Sequence, residues 1–293
     1  LLHIVDPASL QPMTIVANGG NGCAGPVAQA FAERLPGRWI MVHEQPDGTF
    51  PNGIPNPLLP ENRAATQDAV RRHGADLGLA WDGDFDRCFF FDENGEFVEG
   101  YYLVGLLARA ALRQESGGRI VHDPRLTWNT VEVVREAGGV PVQSKSGHAF
   151  VKDVMRHEDA VYGGEMSAHH YFREFAYCDS GMLPWLRIIA EISASGLPLS
   201  ELVRSMQEAY PASGEINRRL RDPDAALAAI EKKYLFESVG VDRTDGLSLD
   251  MGRWRFNLRK SNTEPVIRLN VESRGDRGLM EEKTTELLAM LDA

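Results

Sequence analysis

Three aspartates stand at alternate positions in one short segment of this chain, as Asp82, Asp84 and Asp86. Carboxylates a few ångströms apart repel one another unless a cation lies between them. Hard oxygen ligands in this number suit Mg²⁺, which usually takes one or two carboxylates together with a phosphate. The pattern therefore predicts an Mg²⁺ site, and the alternative interpretation is an acidic turn exposed to solvent.

The residues around these aspartates predict where the site lies in the fold. Residues 75–80 have the pattern of a buried strand, and residues 87–92 have the pattern of another, with a turn at 94–95. The aspartates thus follow the end of a strand, which is where α/β folds place their ligands. We expect the three carboxylates on a tight bend at that strand end.

A second candidate site is the loop from Arg259 to Pro265, which is followed by Arg268. Guanidinium groups, small hydroxyls and loop amides together bind anions. The alternative is a surface turn with incidental charge. Because the two arginines bracket the loop, the pattern favours an anion site.

Two further groups of polar side chains follow predicted strands. Glu165 and Ser167 can hydrogen-bond adjacent sugar hydroxyls, although a turn or helix-cap role explains them equally well. Lys145, His148 and Arg125 also lie just after strand ends. A lone histidine is more often structural than catalytic, so both interpretations of this second group stay open.

The turn after the first predicted strand fits the pattern G-x-G-x-x-G with Gly20, Gly22 and Gly25, and Glu44 lies near the spacing expected for a ribose-binding acid. This pattern alone is compatible with a dinucleotide site. The alternative is a tight strand-to-helix turn whose glycines permit close packing. The rest of the chain favours the packing interpretation.

Composition limits the classes of partner. The 293 residues carry a formal net charge of -11 without a basic run, so nucleic acid and anionic membranes are poor partners. The three cysteines are scattered without metal or disulfide spacing, which fits a reducing cytoplasm. No apolar run is long enough to span a bilayer. The first residues, Leu1 to Ile4, contain neither a methionine nor a leader pattern, so we expect the chain to begin inside a longer protein.

Strand and helix patterns predict an α/β fold with three regions. Residues 1–97 and 98–208 each place helices after strands, which indicates mixed, mainly parallel sheets. Residues 209–293 have short strands and two amphipathic helices, which predicts a small α+β domain. The segment 209–214 is a candidate linker.

Four segments together resemble the α-D-phosphohexomutase superfamily, in its phosphomannomutase/phosphoglucomutase branch. They are the aspartate loop 82–87, the segment 164–169, the loop 259–265 and the proline-rich segment 50–57. Their order and spacing fit the family across essentially the whole chain. Within the branch, residues 123–130 and 169–173 look most like bacterial phosphomannomutases that supply GDP-mannose.

The resemblance implies a four-domain protein, of which this chain contains domains II (1–97), III (98–208) and IV (209–293), the last related to TATA-binding-protein-like folds. Domain I of the family holds a phosphoserine loop of the type Thr-Ala-Ser-His-Asn-Pro, and that motif does not occur in this sequence. We therefore expect domain I to be absent from this chain, and the 293 residues alone to be inactive.

The resemblance also implies an activity, the interconversion of mannose 6-phosphate and mannose 1-phosphate, and possibly of the glucose phosphates, through a hexose 1,6-bisphosphate. It implies Mg²⁺ at Asp82, Asp84 and Asp86, with Arg87, Arg125 and His148 at the reacting centre. The implied substrate-binding residues are Lys145, Glu165, Ser167, His169, Arg259, Ser261, Asn262, Thr263 and Arg268. Two alternatives stay open: an inactive chain that binds phosphosugars, and a nicotinamide-dependent oxidoreductase.

Overall fold

The computed structural model describes residues 4–260 and 266–292, and within these ranges three five-stranded sheets follow one another along the chain. In this part of the chain, no helix is both long enough and apolar enough to cross a membrane. The predicted α/β fold with mixed sheets is confirmed.

The first sheet has the strand order β2-β1-β3-β4-β5. Strand β1 pairs in parallel with β2 and β3, whereas β4 runs antiparallel to both β3 and β5. Its elements are β1 (Met13–Asn18), α1 (Ala24–Ala32), β2 (Gly37–Val42), α2 (Ala64–His73), β3 (Leu77–Trp81), β4 (Cys88–Phe91) and β5 (Phe97–Val98). Because β3 and β4 are adjacent and antiparallel, the aspartate loop is a tight connection that joins the end of β3 to the start of β4.

The second sheet repeats this arrangement, with the order β10-β9-β8-β6-β7 and parallel pairing of β6 with β7 and β8. Its elements are α3 (Gly100–Gln114), β6 (Arg119–His122), α4 (Trp128–Glu136), β7 (Val140–Gln143), α5 (His148–Glu158), β8 (Tyr162–Gly164), β9 (His170–Phe172), β10 (Cys178–Asp179), α6 (Leu183–Ser195) and α7 (Leu199–Ala209).

The third sheet is antiparallel throughout, in the order β11-β15-β14-β13-β12. Its elements are β11 (Ile216–Arg219), α8 (Pro223–Tyr234), β12 (Gly240–Asp242), β13 (Leu247–Asp250), β14 (Trp254–Lys260), β15 (Val266–Ser273) and α9 (Arg277–Leu291). This is the small α+β unit that the sequence predicts. The predicted boundary at 97/98 falls within β5 and that at 208/209 falls at the end of α7.

The first two sheets share one hydrophobic core, and the third has its own. Trp185 of α6 packs edge-on against Phe31 and Trp39 of the first unit, with ring centroids 5.1 and 5.6 Å apart. The indole of Trp81 donates to the Gly181 carbonyl at 2.8 Å, so the strand that precedes the aspartate loop is fixed to the second unit. The loop is therefore held by buried contacts on both sides.

The glycine-rich turn packs against the protein's own backbone. A Cβ on Gly22 would lie 2.6 Å from the Gly83 carbonyl oxygen, and a Cβ on Gly25 would lie 1.8 Å from that of Glu44. The amide of Cys23 donates to the same Gly83 carbonyl at 3.0 Å. These approaches give the glycines the packing role and make the turn a support for the aspartate loop.

We expect Gly25→Ala to lower the free energy of unfolding by about 1–3 kcal/mol or more, because the added methyl meets backbone that cannot rotate away. Urea denaturation measures the change. The matched control is Gly48→Ala, at an exposed position where a Cβ would meet nothing within 4 Å. Equal midpoints for the two variants would contradict the packing role.

Candidate active site

The three aspartates lie together in the connection between β3 and β4. One carboxylate oxygen from each lies within 4.8 Å of the others. Asp82 is buried, Asp84 is exposed and Asp86 is partly exposed. This is a set of hard oxygen donors that opens from the protein interior toward solvent, and it fits a small divalent cation.

The electrostatics of the cluster depend on burial and on two partners, Arg87 and His169. Asp82 accepts hydrogen bonds from the Nε and backbone amide of Arg87, at 2.6 and 3.2 Å. Burial raises the pKa of Asp82 to about 6 against the effect of Arg87, and the neighbouring Asp86 charge adds to the rise. A hydrogen bond with His169 is the main reason that the pKa of Asp86 is lowered. Both carboxylates are therefore largely ionised at neutral pH.

The segment after β8 joins the aspartate loop. Residues Arg87 and His169 form an isolated antiparallel backbone bridge, and the Nε2 of His169 lies 3.4 Å from an Asp86 oxygen. The other ring nitrogen of His169 lies 3.5 Å from Glu165. His169 thus connects the predicted metal ligands to the predicted sugar-binding residues.

Glu165 is almost fully buried at the floor of this region. Its Oε1 accepts from the amide of Gly147 at 2.8 Å, and its Oε2 accepts from the hydroxyl of Tyr171 at 2.6 Å. Ser167 accepts from the Nη2 of Arg125 at 3.1 Å. Each carboxylate oxygen has two lone pairs, so Glu165 is held in place by the protein and keeps capacity to accept from a ligand.

Arg125 lies at the centre of a buried ionic network. Its Nη2 donates to Asp123 at 2.7 Å, and its Nη1 donates to Glu215 at 3.2 Å. Burial alone would lower the pKa of Arg125, but the Asp123 and Glu215 carboxylates outweigh it and raise the pKa. The guanidinium is thus charged although only 2% of the Arg125 side chain is exposed.

Two arginines of the third unit face this network. Arg259 on β14 stands directly opposite Arg268 on β15 in the antiparallel register. Both form ion pairs with Glu215 at 3.4 Å. Burial and the nearby Arg125 charge lower the pKa of Arg259. The region thus concentrates positive charge from two units around one carboxylate.

A cavity of about 530 Å³ joins these groups. Of the predicted site residues, those that line it are Arg87, Arg125, His148, Glu165, Ser167, His169, Arg259 and Arg268. The three aspartates are connected to the cavity through Arg87 and His169. Ser261, Asn262 and Thr263 lie outside the described residues.

Lys145 and His148 differ in their position relative to the cavity. His148 is the first residue of α5 and lines the cavity, whereas the exposed Lys145 has its Nζ 5.1 Å from the centre of the Phe150 ring and does not line it. The sequence places both in a loop. Helix α5 begins at His148 because Gly147 takes a φ of 116°, a conformation that ends the loop abruptly.

The site contains residues that the sequence analysis does not single out. Glu215 lies next to the predicted linker, and Asp123 lies two residues before Arg125. A buried ion pair of Arg255 and Glu272 docks the third unit on the second: Arg255 donates to the carbonyls of Pro124 and Arg125, both at 3.0 Å. Glu272 accepts from the Thr127 amide at 2.8 Å. No local motif marks Glu215, Arg255 or Glu272, because each has partners far away along the chain.

The chain matches three domain models of one family. They are "Phosphoglucomutase/phosphomannomutase, alpha/beta/alpha domain II" over residues 2–95, "alpha/beta/alpha domain III" of the same family over residues 99–210, and its "C-terminal domain" over residues 215–289. Together these matches cover nearly the whole chain.

Curated relatives and solved structures agree with this match. A "Phosphomannomutase" of Salmonella montevideo is 60% identical over 298 residues, covering 100% of this chain and 65% of that protein. "Phosphohexose mutases" of Xanthomonas campestris pv. campestris (strain ATCC 33913) is 60% identical over 291 residues, covering 99% of this chain and 65% of that protein. The chain therefore spans about two thirds of the length of these relatives.

Among solved structures, the phosphoglucomutase/phosphomannomutase family protein of Burkholderia thailandensis superposes with a TM-score of 0.84 at 28% identity, over 97% of this chain and 62% of that one. Aspergillus fumigatus N-acetylphosphoglucosamine mutase, solved in complex with GlcNAc-6P and magnesium, has a TM-score of 0.66 at 13% identity, over 96% and 66%, and shares the fold. The resemblance predicted from the motifs is thus confirmed, and the chain belongs to the phosphoglucomutase/phosphomannomutase family.

Proposed function

We propose that this chain is the larger part of a phosphomannomutase, which interconverts mannose 6-phosphate and mannose 1-phosphate through a hexose 1,6-bisphosphate. One observation carries the proposal: a single cavity brings together residues of the aspartate loop, the segment 164–169 and the Arg259–Arg268 pair. The names of the bacterial relatives support the substrate, and the chain's three sheets would be domains II (1–97), III (98–208) and IV (209–293) of the enzyme.

In this proposal Asp82, Asp84 and Asp86 hold Mg²⁺. Their oxygens lie close enough together to share one ion, and the carboxylate donors are those that Mg²⁺ prefers. When bound, the ion would neutralise charge on the phosphoryl group in transfer. Magnesium is present with the related Aspergillus fumigatus mutase, which supports the choice of ion.

The residues of this chain would act mainly by positioning and by charge. Phosphoryl transfer requires an aligned nucleophile and stabilised phosphate oxygens more than covalent chemistry from the protein. Arg87, Arg125 and His148 would surround the reacting phosphate, with His148 exposed at the cavity wall to carry a proton. Lys145, which does not line the cavity, stays a proposed ligand of the substrate. The phosphoserine itself would be supplied by another part of the enzyme.

The non-reacting end of the substrate would bind on the third unit's side of the cavity. Arg259 and Arg268 would hold its phosphate, together with Ser261, Asn262 and Thr263 of the intervening loop. There Arg125 lies next to Arg259 and Arg268 through their shared partner Glu215, so Arg125 would border both phosphate positions. Glu165, Ser167 and His169 would bind the 3- and 4-hydroxyls, which mannose and glucose present alike. Such a site would accept a hexose 1,6-bisphosphate in either orientation. The proposed reaction requires this, because the intermediate must present each of its two phosphates in turn to the reacting centre.

Glu165→Gln is expected to weaken binding of mannose 6-phosphate and glucose 6-phosphate by a similar factor, about tenfold or more, because a charged hydrogen bond contributes roughly 1.5–3 kcal/mol. Calorimetry on the 293-residue chain measures both affinities. Tyr171→Phe is the control, since it removes the donor to Glu165 at 2.6 Å but keeps the carboxylate. A loss confined to one sugar would show that Glu165 binds a different hydroxyl.

The proposal itself is tested by titrating the 293-residue chain with mannose 6-phosphate, unphosphorylated mannose and NAD in the presence of Mg²⁺. We expect binding of the phosphosugar, much weaker binding of mannose and no binding of NAD. Binding of NAD without phosphosugar binding would favour the nicotinamide-dependent alternative. If the chain binds phosphosugars but the protein expressed from the complete reading frame does not turn them over, the alternative of an inactive phosphosugar-binding protein is favoured.

A further inference from the structure

Glu215 is buried between three arginines of the cavity. Only 2% of its side chain is exposed. Its Oε2 accepts from Arg125 at 3.2 Å and from Arg259 at 3.4 Å, and its Oε1 lies 3.4 Å from Arg268. Burial acts to raise the pKa of Glu215, but the three guanidinium groups outweigh it and lower the pKa. One ionised carboxylate therefore contacts cations from two different units of the fold.

The arginines need such a partner because the fold brings like charges together. Arg259 and Arg268 stand directly opposite on β14 and β15, and like charges in that position repel. Arg125 adds a third charge from the second unit. Arg125 also pairs with Asp123 at 2.7 Å, and Arg259 also pairs with Asp245 at 3.4 Å. Among the described residues, however, Glu215 is the carboxylate that contacts all three arginines, so without it they would separate and the cluster would lose its shape.

Glu215 is held at this position by its own backbone. It immediately precedes β11, in which Ile216 pairs with Leu269 and Asn217 pairs with Arg268 itself. Two residues earlier, the Ser213 amide donates to the Val271 carbonyl at 2.9 Å. The carboxylate is thus anchored to β15, the strand that carries Arg268.

The contacts of Glu215 leave donors on each arginine available. Each guanidinium meets the carboxylate through a terminal nitrogen. The Nε atoms of Arg125, Arg259 and Arg268 are buried and have no hydrogen-bond partner among the residues that the structure describes. Buried N–H groups without partners are costly and rare, so three of them in one cluster point to a ligand with several acceptor oxygens.

We propose that Glu215 is a positioning residue that assembles Arg125, Arg259 and Arg268 into one binding site for a phosphate monoester. The carboxylate orients the three guanidinium groups from behind, and the phosphate accepts from their remaining N–H groups. The inference rests on the proposed function, because it concerns the phosphosugar cavity. It adds a residue next to the predicted linker that sets the geometry of the phosphate site without touching the sugar.

The positioning role of Glu215 is tested by whether Glu215→Gln weakens or strengthens phosphate binding. Glu215→Gln removes a negative charge beside a bound anion, so an uninvolved or merely repulsive Glu215 would give unchanged or tighter phosphate binding. A positioning role gives the opposite sign, because the amide cannot accept from three guanidinium groups. We expect Glu215→Gln to weaken binding of mannose 1-phosphate to the 293-residue chain at least tenfold in calorimetry at fixed salt.

Two further variants keep this test decisive. Glu215→Asp retains the charge but is one methylene too short to reach all three arginines, so it should also weaken phosphosugar binding. It serves as the test if Glu215→Gln does not fold. Glu208→Gln, at an exposed position on α7, makes the same change in net charge and should leave affinity unchanged. Binding of inorganic phosphate should fall in parallel with that of mannose 1-phosphate.

The outcomes separate this inference from the proposed function. If the wild-type chain binds neither mannose 1-phosphate nor inorganic phosphate, the proposed function fails. If the wild-type chain binds both, and Glu215→Gln and Glu215→Asp bind equally well or more tightly, the positioning role of Glu215 is overturned while the phosphosugar site stands.

Discussion

Asp84→Asn is expected to reduce turnover about a hundredfold or more in the enzyme expressed from its complete reading frame, while the protein stays folded. A bound metal ion stabilises the transition state by several kcal/mol, and about 3 kcal/mol corresponds to a hundredfold in rate. Asp84 is exposed, so its replacement leaves the core intact. Loss of one charge from three neighbouring carboxylates even relieves repulsion when no ion is bound.

Steady-state kinetics over a range of Mg²⁺ concentrations measures this effect. The variant should require more Mg²⁺ and should stay slower at saturation. Asp68→Asn, at an exposed position on α2, makes the same chemical change away from the cavity and should behave as wild type. Unchanged rate and unchanged Mg²⁺ dependence in Asp84→Asn would refute the metal assignment.

Arg259→Ala is expected to weaken binding of phosphosugars to the 293-residue chain by about ten- to hundredfold and to leave binding of unphosphorylated mannose unchanged. Charge-assisted hydrogen bonds contribute roughly 1.5–3 kcal/mol each, and each 1.4 kcal/mol is tenfold in affinity. The Arg259 side chain is only 16% exposed, so little competing solvation weakens its contact with phosphate.

Calorimetry with mannose 6-phosphate and with mannose separates the phosphate contribution from that of the sugar. Arg243→Ala is the control, because Arg243 is an exposed arginine of the same unit that pairs with Glu231. Equal phosphosugar affinity in wild type and Arg259→Ala would remove the phosphate role from this arginine. A parallel loss of mannose affinity would indicate a general disturbance of the cavity instead.

The aspartate loop could be predicted from sequence because its signal is local. A strand pattern, three alternating carboxylates and a second strand occupy fewer than twenty consecutive residues, and β3 and β4 flank the loop as expected. The cluster of carboxylates follows directly from that spacing. Where chemistry and secondary structure share one short segment, the sequence pattern determines both.

Helix α5 shows where local pattern is insufficient. Its start depends on the positive φ of Gly147, and the basic residues before it suggest a loop. The sequence pattern places His148 and Lys145 in the same strand-end loop, although of the two only His148 lines the cavity. The position at which α5 begins therefore decides where the His148 side chain lies.

Glu215 shows what sequence reasoning cannot find from spacing. Its partners Arg125, Arg259 and Arg268 lie 90, 44 and 53 residues away along the chain, so no sequence periodicity connects them with Glu215. The same is true of Glu272, which lies in β15 and accepts from an amide of the loop before α4. Buried charges of this kind are recognised only after the sheets are placed against one another.

Transfer of a phosphoryl group between the two ends of one hexose can be followed by ³¹P NMR. The enzyme expressed from its complete reading frame is incubated with mannose 6-phosphate, Mg²⁺ and a catalytic amount of glucose 1,6-bisphosphate. We expect the mannose 1-phosphate resonance to appear and to grow to an equilibrium level, and chelation of Mg²⁺ to stop its growth. If the spectrum stays unchanged although the protein is folded and binds phosphosugars, the protein is not a phosphomannomutase.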